Sequence, residues 1–408
     1  MQHSSQSRPS RQSPSSEPSL GWTYLSRDAL ARAKAQMDIE SYGVRDELGL
    51  LTIHQRYADL FFPGTSVLHG RARYALFVPW LFEDLAGLTG SHAKRALRAR
   101  ECQLAGRLIE SGSRQVIGGN VFPRPASQPP STVYWNALAT WGILRKQGSG
   151  TPTRAQVHQL LVGNRSKLDD DGQPLLADAL PFMPLPDRPQ GWREGVIDLE
   201  LNRSEADFLH DRLAQLFSRK TGTLSLLARL VKTRAQAPDD MWADETYAVA
   251  GDQAPLLRRA RQAASLAGLG RAVYDALLEH LVRDHDKGAA SDERHEHLQN
   301  MIPEHIESAA RLDVDVLEEQ IGLLPRLLRE LVVVTRDWAA AGGSNPLALL
   351  EIYTQIEARK GARARLAMTR DGRARRAEWL HDNHSKAQPL HFRWHNVSVL
   401  LNDLANAS

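Results

Sequence analysis

The chain of 408 residues carries 51 Lys+Arg against 48 Asp+Glu, a formal charge of +3, with 42% hydrophobic and 24% charged residues. These are ordinary globular proportions. A single cysteine, Cys102, excludes an internal disulfide and fits a reducing cytosol, and no apolar run approaches the ~18–20 residues of a membrane span. So small a net charge does not by itself signal nucleic acid, and the length suits two domains, or at most three.

Residues 1–18 are Ser, Gln, Pro and Arg without an apolar segment, so they read as a disordered tail and not as a secretory signal. An N-terminal helical domain is expected over 19–180. Within it the turn Phe62-Pro63-Gly64-Thr65-Ser66 offers a Pro-Gly bend, with Thr65 or Ser66 as the cap of the following helix. Arg71 and Arg73 follow closely, so the same start could hold an anion. Pro79 should kink that helix or begin a new one. Tyr134, Leu138 and Trp141 recur at helical spacing in a short helix, and a second helix covers 153–162, with Arg145, Lys146, Arg154, Arg165 and Lys167 nearby. The loop between the two is about ten residues, longer than the ~3–4 of a helix-turn-helix, so the aromatic stripe reads first as core. Residues 114–122 and 195–201 are the only plausible short strands, forming either a small ribbon or extended linkers.

The prolines from Pro181 to Pro189 bar helix and mark a connector over 181–200. A C-terminal helical domain is expected over 201–408. Asn202 and Glu205 are spaced as an N-cap and its reciprocal acid. Pro255 suits a first helical position, and the small residues Ala263, Ala264, Ala267, Gly268 and Gly270 would admit a second helix at close range. A second break is expected at the polar stretch 284–300. Pro325 should interrupt the helical pattern of 313–340, Gly342-Gly343 should stop it, and Pro346 should open the next helix. The fold class that follows is mainly α, with at most a few short strands.

Several motifs form a distinctive set: Leu20-Gly21-Trp22, the Phe62–Ser66 turn, Arg71-Ala-Arg73-Tyr74-Ala-Leu-Phe77-Val78-Pro79-Trp80, Pro130-Ser131 with Tyr134-Trp135, and Trp141-Gly142-Ile143. Near the end, Phe392-Arg393-Trp394 heads a short apolar helix that carries Asp403. With these the chain resembles a bacterial family of unassigned function, domain of unknown function 6361, from about Leu20 to the C terminus. The resemblance implies a bacterial, cytosolic protein and an association with mobile or phage-defence genes. It supplies no catalytic residues.

Metal and cofactor chemistry finds no signature. His280, His285, His295, His297 and His305 lie among acids but lack zinc-ligand phrasing, and Asp169-Asp170-Asp171-Gly172 lacks the alternation of a calcium loop. No nucleophile elbow or Walker phrase is present. The largest charge asymmetry is at 359–376, where Arg359, Lys360, Arg363, Arg365, Arg370, Arg373, Arg375 and Arg376 oppose only Asp371. Such a block should be solvated or meet an anion, and nucleic-acid phosphate suits arginine forks.

The leading expectation is a non-catalytic helical adaptor or nucleic-acid-associated component of a bacterial multi-protein system, cytoplasmic, with partners from the same operon and none in a membrane. An enzyme site assembled from Arg71, Arg73, Asp46 and Glu47 is the alternative. A protein–protein scaffold, with the basic block docking an acidic partner, is the third reading.

Overall fold

The computed structural model describes residues 48–148, 150–165, 180–289, 291–381 and 385–408, all within one compact unit, Val44–Ser408. The predicted tail, the Leu20–Trp22 motif, Asp46, Glu47, Lys167 and the Asp169–Gly172 turn lie outside the described residues. Helices dominate. Among the described residues β-structure is limited to three isolated bridges, Leu144 to Phe182, Gln147 to Gly150 and Phe217 to Leu224. Neither expected strand forms. Residues 119–121 are a 3-10 turn, and 195–201 is extended chain whose carbonyls take bonds from arginines instead of a neighbouring strand: Arg107 reaches Gly195, and Arg73 reaches Asp198.

The N-terminal half is built on α1 (Leu51–Phe61), α2 (Tyr74–Asp84) and α3 (Gly90–Glu110). α2 is apolar all round, and every residue from Tyr74 to Phe82 is buried, as expected of a helix enclosed by its neighbours. Pro79 lies within this single helix, so it neither ends α2 nor starts another. Two further helices, α4 (Trp135–Thr140) and α5 (Arg154–Arg165), pack beside it. Tyr134, Leu138 and Trp141 are core, and on α5 Val157 and His158 are buried, with His158 stacked on Phe82 at 4.6 Å. The pair is thus a packed part of the core, with its interior faces already occupied.

Past the proline segment come α6 (Arg203–Leu213), α7 (Leu226–Lys232) and the 27-residue α8 (Ala254–His280). Phe182, Trp192, Ile197 and Leu199 are buried in the same core as α2 and α8, so the segment 181–200 runs inside the unit. α6 opens on a capping box in which Asn202 accepts from the Glu205 N–H and Glu205 accepts from the Asn202 N–H. α8 begins with Pro255 in its first turn and packs most extensively against α9 (Glu293–Ala310). α9 covers much of the stretch expected to be a break. A side chain at Gly268 would lie 2.9 Å from the Pro389 nitrogen, so the small-residue face of α8 admits extended backbone as well as helix.

α10 (Val314–Ile321) and α11 (Arg326–Ala340) are separated at Pro325, and α11 stops before Gly342-Gly343. α12 (Leu350–Glu357) follows a 3-10 turn opened by Pro346. The last helices are α13 (Arg370–His381) and α14 (Trp394–Ala405).

Candidate functional site

The two arginines after the Phe62–Ser66 turn are already neutralised. Arg71 Nε donates to Asp403 at 2.7 Å and its NH2 to Glu200 at 2.7 Å. Arg73 is buried, donating to Asp198 at 2.7 Å and to the fully buried Glu205 at 2.8 Å. The acid that caps α6 therefore also balances Arg73. Burial pushes the Asp403 carboxyl up to about 6, although the Ala72 N–H and Arg71 both favour its charged form. Each guanidinium is thus paired with two carboxylates inside the fold. The expected cap also differs: Thr65 Oγ1 donates to the Phe62 carbonyl at 2.7 Å, Ser66 Oγ accepts from the Leu68 N–H, and α2 begins only at Tyr74. These hydroxyls close the turn and leave the helix start to the backbone.

The basic segment is divided by the fold. Residues 358–363 form a 3-10 turn, 364–369 are irregular, and α13 carries the rest. Arg376, expected to be solvated, is 0% exposed. Its Nε and NH2 hold the two oxygens of Asp286 at 2.7 and 2.8 Å, and its NH1 donates to the carbonyls of Arg365 and Ala367. The guanidinium beside Asp286 draws that carboxyl down to about 2. Arg376 is thus a clasp binding the 364–369 chain and α13 to the bend at Asp286 that follows α8, and it is not a phosphate contact. The Arg365 side chain is half-buried. Lys360, also half-buried, lies 3.5 Å from Glu357 and over the Tyr274 ring.

The other arginines are more open, although the Arg359 guanidinium rests against Gly49, where a Cβ would lie 2.7 Å from its NH2. Arg359, Arg363, Arg370, Arg373 and Arg375 are exposed. Arg373 donates to the Asp286 carbonyl, and Arg375 pairs with Glu378 at 2.7 Å in the open. Arg359, Arg363 and Arg370 meet no carboxylate among the described residues.

The histidine-rich region serves local order. His280 pairs with Asp284, His285 with Asp286, and His297 meets the Ala387 carbonyl at 2.7 Å. Buried Glu279 accepts the Arg294 and His295 N–H groups at the start of α9. Among the described residues no group of His, Cys, Asp or Glu is arranged to hold a metal, and no helix is long and apolar enough to cross a membrane. Cys102 is half-buried, with its thiol against the Pro123 carbonyl.

Sequence reading missed a cleft of about 300 Å³ bordered by α1, the Pro63-Gly64 bend, α4, the end of α10 and the turn at 218–223. Arg56, Arg219 and Lys220 line it. Its floor depends on Gly64, at φ +82°: a Cβ there would meet Trp141 Nε1 at 2.7 Å. The only local signal was the Arg219-Lys220 pair; Arg56 and Asn136 come from helices distant in sequence.

A model of a family of unknown function, DUF6361, matches residues 18–315. The chain belongs to that family. The match ends before the basic segment and before Phe392–Trp394, so the resemblance does not extend to the C terminus as expected. All the cleft's lining residues except Ile321 lie within the DUF6361 match. No curated protein and no solved structure matches the chain.

Proposed function

We propose that this DUF6361 member is a non-catalytic, nucleic-acid-associated protein that meets a phosphate backbone through Arg359, Arg363, Arg370, Arg373 and Arg375. The observation that carries the reading is a set of exposed guanidiniums, three of them without a carboxylate among the described residues, on a segment clasped to the core by Arg376. A clasped segment loses less freedom on binding than a loose basic tail would. The exposed Arg375–Glu378 pair is worth little and exchanges readily for a phosphate. Contacts of this kind orient a protein on nucleic acid without reading its sequence. A bacterial cytoplasmic setting, and partners of the same operon in a phage-defence context, belong to the same proposal. The lone Cys102 and the family resemblance support the setting, and co-purification of the tagged protein tests the partners.

Fluorescence anisotropy with labelled duplex and single-stranded oligonucleotides across a salt series tests the contact. Each neutralised phosphate on duplex contributes about −0.9 to the salt slope. Arg359→Ala, Arg363→Ala and Arg370→Ala together should flatten the slope by up to about 3 units and leave the melting temperature unchanged. No binding at low salt, or a slope indifferent to the triple variant, would transfer the segment to an acidic protein partner.

A further inference from the structure

The cleft beside the Pro63-Gly64 bend has a composition that its neighbourhood does not explain. Arg56 projects from α1 and fixes its NH1 on the carbonyls of Gly322 and Leu323, each at 2.8 Å, while its Nε and NH2 make no bond among the described residues. Lys220 comes from the far side. A Cβ at Gly322 would lie 3.7 Å from Arg56 NH1 and 3.8 Å from Lys220 Nζ, so both cationic heads lie within 4 Å of one point. Arg219 is exposed on the same turn, and neither it nor Lys220 meets a carboxylate among the described residues. The acid on the wall, Asp59, is held by Arg393 at 2.6 Å. Partial desolvation, and then the Arg56 charge, lower the affinity of Lys220 for its proton. Two cationic heads thus converge and a third lines the same cleft, none with a carboxylate of its own among the described residues.

A second, independent feature is Ser218. It lines the cleft, is buried, and its hydroxyl has no hydrogen-bond partner. A buried hydroxyl left unpaired costs stability, which invites a partner that the protein itself does not supply. Its place is fixed by the turn, in which the Ser218 N–H donates to the Thr223 carbonyl at 2.9 Å and the Gly222 N–H returns to the Ser218 carbonyl at 2.9 Å. Asn136 adds an exposed amide on the α4 side, and Leu60 and Ile321 supply apolar wall.

We infer that this cleft binds a small phosphomonoester, with Arg56, Arg219 and Lys220 neutralising the phosphate and Leu60 and Ile321 lining the organic part. Two guanidinium forks and an ammonium match a tetrahedral dianion with three terminal oxygens better than a carboxylate with two. The volume is at the low end of small-molecule pockets, which run from ~300 to ~1,000 Å³, and exceeds what inorganic phosphate fills. The site is separate from the proposed nucleic-acid contact and does not depend on it.

Isothermal titration calorimetry of the full chain with phenyl phosphate and with inorganic phosphate, against acetate at matched ionic strength, tests the assignment. Phenyl phosphate should bind more tightly than inorganic phosphate, and acetate should give no heat. Arg219→Ala with Lys220→Ala should weaken phenyl phosphate at least tenfold with the melting temperature unchanged, since both side chains are exposed. Ser218→Ala should weaken it severalfold while leaving the melting temperature equal or higher. Arg359→Ala with Arg363→Ala should leave phenyl phosphate binding intact, whatever happens to oligonucleotides. No heat from either phosphate, equal heat from acetate, or binding that survives Arg219→Ala with Lys220→Ala overturns the inference. Displacement of phenyl phosphate by a 5′-phosphorylated oligonucleotide would assign the cleft to nucleic acid and end the small-ligand reading.

Discussion

Arg71 and Arg73 on one side, and the segment from Arg359 to Arg376 on the other, look alike as sequence: arginines near a helix start with few acids close by. In the folded chain they diverge. Arg71 and Arg73 are matched by Asp403, Glu200, Asp198 and Glu205, which lie 125 or more positions away. In the segment one arginine is buried against Asp286, 90 positions away, and five remain exposed. A locally unbalanced charge is therefore not the same thing as an available one. Availability depends on whether the fold brings a distant carboxylate, and on which side of the surface the guanidinium ends.

The sharpest way to break this comparison lies within α13. Arg376→Ala leaves buried Asp286 with only His285 beside it and should cost about 3–5 kcal/mol in urea denaturation, whereas Arg375→Ala, at the adjacent but exposed position, should stay within about 0.5 kcal/mol. Adding Asp286→Ala to Arg376→Ala should recover part of the loss, because the stranded charge goes with it. Similar costs for Arg375→Ala and Arg376→Ala would dissolve the distinction between clasp and surface. On the other side, Arg73→Ala should also cost about 3–5 kcal/mol by stranding Glu205, where a free anion-binding arginine would cost almost nothing.

The second test uses pH. Burial first, then His391, Arg393 and Arg271, push His54 down from 6.5 to about 3, and burial pushes His69 down to about 4. Both imidazoles are neutral in the native state and charge in the unfolded chain, so their contribution is complete above pH ~6.5 and is lost as pH falls below it. Asp403 works the other way. Its folded value of about 6 exceeds the ordinary 3.8, so protonation between those values favours the native state. Two histidines shifted far outweigh one aspartate, so the urea midpoint should fall from pH 6.5 to pH 4. His54→Phe, facing His391 and Phe392, should flatten that fall. A midpoint constant over the range, or a slope unaltered by the substitution, would remove His54 from the account.

The smallest expected effect concerns the turn. Thr65→Ala removes a buried hydroxyl bond to the Phe62 carbonyl and should cost about 1 kcal/mol, with Ser66→Ala costing less because its partner, the Leu68 N–H, is nearer solvent. Equal losses, by thermal melting, would indicate that the two hydroxyls act as one unit.

Much of the fold is legible in the chain because helix boundaries obey short-range rules. Asn202 and Glu205 cap α6, Pro255 starts α8, Pro325 separates α10 from α11, Gly342-Gly343 closes α11, and Phe392–Trp394 leads into α14. Each depends on groups within about one helical turn, so sequence alone specifies it. Pro79 and the stretch 195–201 escaped such rules. α2 is buried on all sides and runs on through Pro79, and carbonyls of 195–201 are satisfied by Arg71, Arg73 and Arg107 from other elements. The state of every functional charge was likewise a tertiary decision. Arg376 met Asp286, Arg73 met Glu205, and Arg56, Ser218 and Lys220 came together around one cleft. Capping bonds join neighbours along the chain, whereas Coulomb and desolvation energies depend on separation and burial in space, which only the folded chain sets.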